Sequence, residues 1–311
     1  MTTSWLTAVP PSVAIEIARH RVTVVGVSGG GGRVTVTHQA SEALPPDAIR
    51  PALTGPTILQ PQAVIDALRR AVERAGLVST RRVALIVPDS LARVSLIPLE
   101  HVPARPQDLD QLLRWQLRKT MPFPLDQAQV SHFTAAVETQ GTTMATIVAR
   151  RDVIAEYEAV AAALGMHPGV VDLASFNVIN AVMGSGTAMA GDWLLVHLAP
   201  ESTTLAIVRG ASLLFYRHRS ADEEPLRALV HQTAMYHEDR LGGGRFTRVL
   251  VCGAGQAALD ARQEIADRLG VAVEPVDVRG VVALTDQSTP SADTLDALAA
   301  PVGALVRDRA A

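Results

Sequence analysis

The chain has 311 residues, is 48% hydrophobic but only 4% aromatic, and carries a formal net charge of −3. That length accommodates two domains with cores built mainly of Ala, Val and Leu, and the near-neutral charge excludes a general attraction to nucleic acid or anionic lipid. Lys119 is the only lysine among 28 basic residues, which restricts Schiff-base and P-loop chemistry, and the lone Cys252 excludes an internal disulfide and a Cys-based zinc cluster and suits a reducing compartment.

Met1–Pro11 has neither a basic segment nor a long apolar stretch, so no secretion signal is expected there. A strand-turn-strand unit follows at Ser12–Val27: apolar Val13, Ile15 and Ile17, a turn at Ala18-Arg19-His20, then Val22, Val24 and Val25. The four glycines Gly29–Gly32 connect to a third strand over Arg33–His38, and no Gly-Lys-Ser/Thr follows them, so they read as a hairpin loop. After the Pro-rich connection Pro45–Pro61, Val64, Leu68 and Val72 mark one face of a helix over Gln62–Leu77, and Arg82–Pro88 reads as a buried strand. Next comes an expected insert with a strand at Leu91–Leu99, a helix at Gln107–Met121 stopped by Pro122-Phe123-Pro124, and strands at Gln129–Val137 and Thr143–Ala149. A helix (Asp152–Leu164), a strand (Val170–Asp172) and a short helix (Ser175–Val182) lead to Gly184-Ser185-Gly186.

A second strand-turn-strand unit opens the other half at Asp192–Arg209, with Leu194, Val196 and Leu198, a turn through Ala199-Pro200-Glu201-Ser202, then Leu205, Ile207 and Val208. Strand Leu213–Arg217, helix Glu223–Leu241, strand Arg248–Cys252, helix Gln256–Leu269, strand Ala272–Val276 and a final helix Leu295–Arg307, disturbed by Pro301, complete it. Two similar halves of alternating helices and strands predict a duplicated α/β fold with a cleft between its halves. No run of about 18 apolar residues is present to span a bilayer, so a cytoplasmic chain without direct membrane insertion is expected, held at any membrane by a partner.

Chemistry is harder to place. Gly253-Ala254-Gly255-Gln-Ala-Ala258 after a strand, with Glu274 following, has dinucleotide-fingerprint spacing, but the residues beyond it offer one clear strand where a Rossmann domain needs more. A tight strand-to-helix turn explains those glycines without a ligand. His231 and His237 are six apart and do not share a helical face, Ser202, Thr203 and Thr204 could offer hydroxyls to a phosphate, and neither a Gly-x-Ser-x-Gly elbow nor an acid-base pair can be placed.

The segments Leu112–Leu125 (with Trp-Gln-Leu-Arg-Lys-Thr-Met-Pro-Phe-Pro), Thr146–Val153, Gly169–Phe176, Ser202–Val208 and Ala297–Arg307 together resemble the PilM family of the actin-like superfamily, related to FtsA and the cytoplasmic part of GspL proteins. The resemblance implies a bilobed, ribonuclease H-like duplicated α/β fold with residues 1–88 and 147–188 as the first lobe, 89–146 as an inserted subdomain and 189–311 as a second lobe with a reduced insert. It implies an adaptor of type IV pilus assembly that binds the cytoplasmic tail of a PilN-like inner-membrane protein in a groove beside the insert and connects to pilus motor and platform proteins. Trp115, Phe123 and Leu125 are the expected groove residues, and they equally suit the insert's own core.

Family members that hold Mg-ATP use an Asp-x-Gly-Ser/Thr turn. Here Glu16, Ala18, Arg19 and His20 stand in the first hairpin and His197 and Ala199 in the second; with Ser202, Thr203, Gly253, Ala254 and Gly255 they are the nucleotide-contacting positions if the site is retained. Imidazole is a poor ligand for magnesium, and bulky side chains occupy the turn. A pseudo-ATPase with no catalytic residue, metal or cofactor is therefore the expectation. An active Mg-ATPase is the alternative, an NAD(P)-dependent oxidoreductase a weaker one, and type II secretion the nearest other system.

Overall fold

The computed structural model describes residues 11–29, 34–139, 141–185, 191–253, 258–285 and 290–307. The first sheet contains β1 (Val13–Ile17), β2 (Arg21–Ser28), β3 (Val34–Ala43), β4 (Arg82–Val87) and β8 (His167–Leu173), in the order β3-β2-β1-β4-β8. The second contains β9 (Asp192–Ala199), β10 (Ser202–Arg209), β11 (Ser212–Ser220), β12 (Arg248–Gly253) and β13 (Val273–Pro275), in the order β11-β10-β9-β12-β13. Both orders arise from one recipe: a three-strand antiparallel meander whose first strand pairs in parallel with a later strand, which pairs in parallel with the next. The duplication expected from the two hairpins is thus present at the level of topology.

Alternation along the strands assigns the layers. In β9, Trp193 and Leu195 face one way and Leu194 and Val196 the other, and the two sets enter different cores. The first set meets α4 (Ala174–Met183) and α7 (Ala292–Val306); the second meets α5 (Leu226–Leu241) and α6 (Ala258–Leu269). On the first lobe α1 (Pro61–Arg74) covers β2 and β3, and α3 (Arg151–Ala162) covers β8. Helices α4 and α7 therefore lie between the two sheets and join the lobes. Their crossing is close: a Cβ at Gly303 would stand 1.7 Å from the Asn177 carbonyl oxygen. The helix α7 runs through Pro301, which is buried within it.

Two features differ from the expected element list. Val282–Leu284 forms a further strand, β14, which leaves the second half and pairs in parallel with β3 at the edge of the first sheet. Helix α5 begins at Leu226, after Pro225, so Glu223 and Glu224 precede it. The insert comprises β5 (Ala92–Leu99), α2 (Pro106–Leu117), β6 (Ala128–Glu138) and β7 (Gly141–Arg150), with sheet order β5-β7-β6. Strand β7 carries the insert past residue 146 without a break, up to the start of α3 at Arg151.

Candidate functional site

The cleft between the lobes is built by the two hairpin turns. In the first, Ala18 N–H donates to the Arg21 carbonyl at 3.0 Å, closing the turn that carries Arg19 and His20. In the second, Ala199 pairs with Ser202 around Pro200 and Glu201. Glu16 and His197, each two residues before its turn, both face the cleft, as do Gly253 and Asp296. The space they enclose is about 50 Å³. A water molecule has a share of about 30 Å³ in the liquid, and small-molecule sites run to roughly 300–1,000 Å³.

What fills the cleft is a hydrogen-bond network centred on Asp89. Strand β4 ends at Val87, and Pro88 starts a short helical turn that directs the buried Asp89 toward the second lobe. Its Oδ1 accepts from Ser175 N–H at 3.1 Å and Ser175 Oγ at 2.9 Å, both at the start of α4. Its Oδ2 accepts from Thr204 Oγ1 at 2.8 Å and faces His197 Nδ1 at 3.2 Å. Since Thr204 gives its proton to Asp89, it accepts from His218 Nδ1 at 2.9 Å, which leaves His218 Nε2 to accept from Ser90 Oγ at 3.2 Å. Tyr216 in turn donates to Ser175 Oγ at 2.8 Å. Ser90, Asp89 and Ser175 of the first lobe bond to His218, Thr204, His197 and Tyr216 of the second, so the network is a clamp across the cleft.

The charges follow from these contacts. Burial alone would raise the Asp89 carboxyl, but the His197 hydrogen bond and charge, with the Ser175 N–H, bring it down to about 2. Burial would lower the His197 imidazole, and the adjoining Asp89 carboxylate, with Glu16 and Asp296 behind it, outweighs that and raises it. Glu16 is pushed up by burial; Arg21 Nη2 lies 3.8 Å from its Oε2, too far to hydrogen-bond it. Among the described residues Glu16 Oε2 and Arg21 Nε are buried without a hydrogen-bond partner.

The expected nucleotide positions thus separate. Glu16, Ala18, Arg19, His20, His197, Ala199, Ser202 and Gly253 line the cleft; Thr203 is buried beside it in β10; Ala254 and Gly255 lie outside the described residues. The Gly253 N–H donates to Asp296 Oδ1 at 3.0 Å, and with φ +90° a Cβ there would meet the Leu198 carbonyl oxygen at 1.9 Å, so close strand approach demands this glycine. Glu274, the acid of the dinucleotide spacing, pairs with Arg248 at 2.7 Å. His231 is half-buried, whereas His237 is buried against Asp192 at 2.5 Å. Asp89, Ser175, Tyr216, His218 and Asp296 were not among the expected residues, and Thr204, expected to offer its hydroxyl to a phosphate, gives it to Asp89. Asp89 carried one readable signal: it follows a buried parallel strand, and the carboxyl ends of such strands are where α/β sheets gather polar groups.

A second feature lies on the first lobe, beside the insert. An apolar groove of about 480 Å³ runs between β6 and β7 on one wall and β8 and α4 on the other. Strand β6 is the edge of the insert sheet and β8 the edge of the first sheet, so two strand edges border the groove. Phe133, Ile147, Val171 and Phe176 give it apolar walls, and the Arg307–Asp172 pair (2.9 Å) adds a polar point. Phe133 meets Phe176 edge-on at 5.6 Å, and Phe176 stacks on Tyr216 at 5.1 Å. Of the three expected groove residues, Phe123 and Leu125 pack with Leu109, Leu113 and Leu117 in the insert's own core. Trp115 is 65% exposed on α2. All three sit with α2, while the groove is walled by Gln129, Ser131, Phe133, Ile147 and Ala149 of the insert sheet.

The family model described as type IV pilus assembly protein PilM matches residues 14–231. No curated protein sequence matches the chain. Among solved structures, a chain of a PilM-PilN type IV pilus biogenesis complex is similar with a TM-score of 0.81 at 17% identity, covering 95% of this chain and 98% of that one. A Bacteroides thetaiotaomicron protein with an actin-like ATPase fold and unknown function is similar with a TM-score of 0.51 at 7% identity, covering 85% of this chain and 89% of that one. The two-lobed α/β architecture is accordingly an actin-like fold.

Proposed function

Because this chain belongs to the type IV pilus assembly protein PilM family, we propose that it is a non-catalytic adaptor of pilus assembly that holds the short cytoplasmic tail of a PilN-like inner-membrane protein. The observation that carries this reading is the apolar groove of about 480 Å³ bordered by the edges of β6 and β8. A strand edge presents backbone donors and acceptors to an extended segment, while apolar walls between two edges receive alternate side chains. A similar fold in a complex of PilM with PilN supports the choice of partner. Among the described residues no helix is long and apolar enough to cross a membrane; in this reading the partner supplies attachment, and the body passes it on to motor and platform proteins. The exposed Trp115 on α2 is the surface residue proposed for a further protein contact.

We further infer that the interlobe cleft has lost Mg-ATP. The enclosed space is far below the size of a nucleotide, and both Asp89 oxygens already accept from protein donors. The Gly253 amide is taken by Asp296, and in this reading His197 stands where family members that hold Mg-ATP carry a carboxylate. Among the described residues no three His, Cys, Asp or Glu side chains group as metal ligands. The unpartnered Glu16 Oε2 and Arg21 Nε are the observation on the side of the second reading, an Mg-ATP-binding adaptor.

The test is calorimetry on the full chain with a synthetic peptide of the candidate membrane protein's cytoplasmic tail, and separately with ATP with and without magnesium. Micromolar peptide binding that Phe133→Asp abolishes supports the adaptor reading; binding indifferent to that change, or none at all, sinks the groove. Magnesium-dependent micromolar ATP binding would refute the emptied cleft.

A further inference from the structure

A separate concavity of about 520 Å³ opens where the insert's β5, the loop at Pro51–Leu53 and the edge strand β11 meet. Among the described residues it shares only Glu201 with the interlobe cleft. Three arginines border it: Arg93 from β5, and Arg217 and Arg219 from β11. None of the three has a carboxylate within 4.0 Å among the described residues, whereas Arg114, Arg209 and Arg307 each have one.

The two β11 arginines are half-buried and two residues apart, so they leave the strand on one face. Both are held by neutral acceptors: Arg217 Nη1 donates to Gln232 Oε1 at 2.7 Å, and Arg219 Nη1 donates to the His218 carbonyl at 3.0 Å. A neutral acceptor fixes a guanidinium's direction without cancelling its charge and leaves further N–H groups for a ligand. Glu201 and Glu223 also border the space. Neither the half-buried Glu201 nor Glu223 lies within 4.0 Å of the β11 arginines, and Glu224 reaches Arg217 through Gln232. A half-buried cation without a direct ion pair is further stabilised by an anion that supplies one.

We propose that this concavity binds a small phosphorylated molecule, gripped by Arg217 and Arg219 and met from the insert by Arg93. A carboxylate is satisfied by one guanidinium fork, whereas a doubly charged phosphoryl group has oxygens for two forks and more. The volume leaves room for a body beyond the phosphate. This assignment stands independently of the tail groove and of the interlobe cleft.

The experiment is calorimetric titration of the full chain with pyrophosphate in chloride buffer, at low and raised ionic strength. Saturable binding that weakens with salt is expected, falling about tenfold in Arg217→Gln and in Arg219→Gln, since one charged hydrogen bond corresponds to about that factor. Arg93→Gln, at an exposed position, weakens it as well and serves if the β11 variants do not fold. Arg19→Gln, whose side chain lines the interlobe cleft and not the concavity, lowers the affinity less than Arg217→Gln does. No binding at millimolar pyrophosphate, or a loss in Arg19→Gln with none in Arg93→Gln and Arg217→Gln, overturns the proposal.

Discussion

The interlobe cleft and the insert groove border the same helix, α4, yet they are opposites. The cleft encloses about 50 Å³ and is crossed by hydrogen bonds; the groove is roughly tenfold larger, apolar and open. At its N-terminus α4 supplies Ser175 to the clamp on Asp89, and one residue later Phe176 to the groove wall. Around Asp89, where donors and acceptors are matched within the protein, the cleft gains little from a ligand, because each new contact displaces an existing one. An apolar groove beside unpaired strand edges gains by being covered. The comparison teaches that, in a duplicated fold, one helix can serve cohesion across the interlobe cleft on one side and wall an open apolar groove on the other.

The strongest way to break this contrast is at Asp89. Asp89→Ala leaves Ser175, Thr204 and His197 facing a buried gap and should cost about 3–5 kcal/mol in urea denaturation, the range for breaking a buried charged contact. Asn at that position retains part of the network and should recover part of the loss. A cost below about 1 kcal/mol would show that the clamp does not hold the lobes.

In the groove the expected pattern is reversed. Phe133 is 42% exposed, so Phe133→Ser should change stability by less than about 1 kcal/mol while weakening tail binding by about a hundredfold, as loss of an aromatic anchor does. Denaturation and calorimetry on one preparation separate the two effects. Equal losses in both would remove the distinction between cohesive cleft and binding groove.

Acid and base should act on the cleft from opposite sides. The Asp89 carboxyl is lowered from 3.8 to about 2, so its contribution, about 2 kcal/mol, is present above 3.8 and fades as pH falls toward 2. The His197 imidazole is raised above 6.5, so its contribution is complete below 6.5 and fades as pH rises through the elevated value. Melting temperature measured across pH should therefore fall at both ends, and His197→Gln should flatten the alkaline side and, by removing the hydrogen bond and charge that lower Asp89, soften the acid side as well.

The smallest effect is expected at Glu16. Its carboxyl is raised by burial and its Oε2 lacks a hydrogen-bond partner, so its ionisation opposes folding from pH 4.5 upward and levels off above the raised value. Glu16→Gln should be neutral or slightly stabilising at pH 8. A marked loss of stability instead would mean that this acid has a role the clamp does not describe.

Much of the architecture was readable from local pattern. Alternating Leu194 and Val196 against Trp193 and Leu195 announces a strand buried on both faces, and the repeat of hairpin, strand and helix announces the duplication. The Met-Pro-Phe-Pro segment identified the insert. The candidate site was less legible. Phe123 and Trp115 look alike as aromatic residues near one helix, and burial decided their fates: Phe123 closes a core, Trp115 stands in solvent. Asp89 read as the mere start of the insert, because its partners Ser175, His197 and Thr204 come from another helix and another lobe.

The amino-acid order by itself determined the strands, the helices and the change at the two turns, since periodicity and side-chain size act between neighbours along the chain. Only the tertiary structure decided that Asp89 binds the lobes together, that β14 returns to the first sheet, and that β6 and β8 end as facing edges. Those outcomes depend on groups brought together from distant parts of the chain. A hydrogen bond or an unpaired strand edge has no signature in the residues on either side of it.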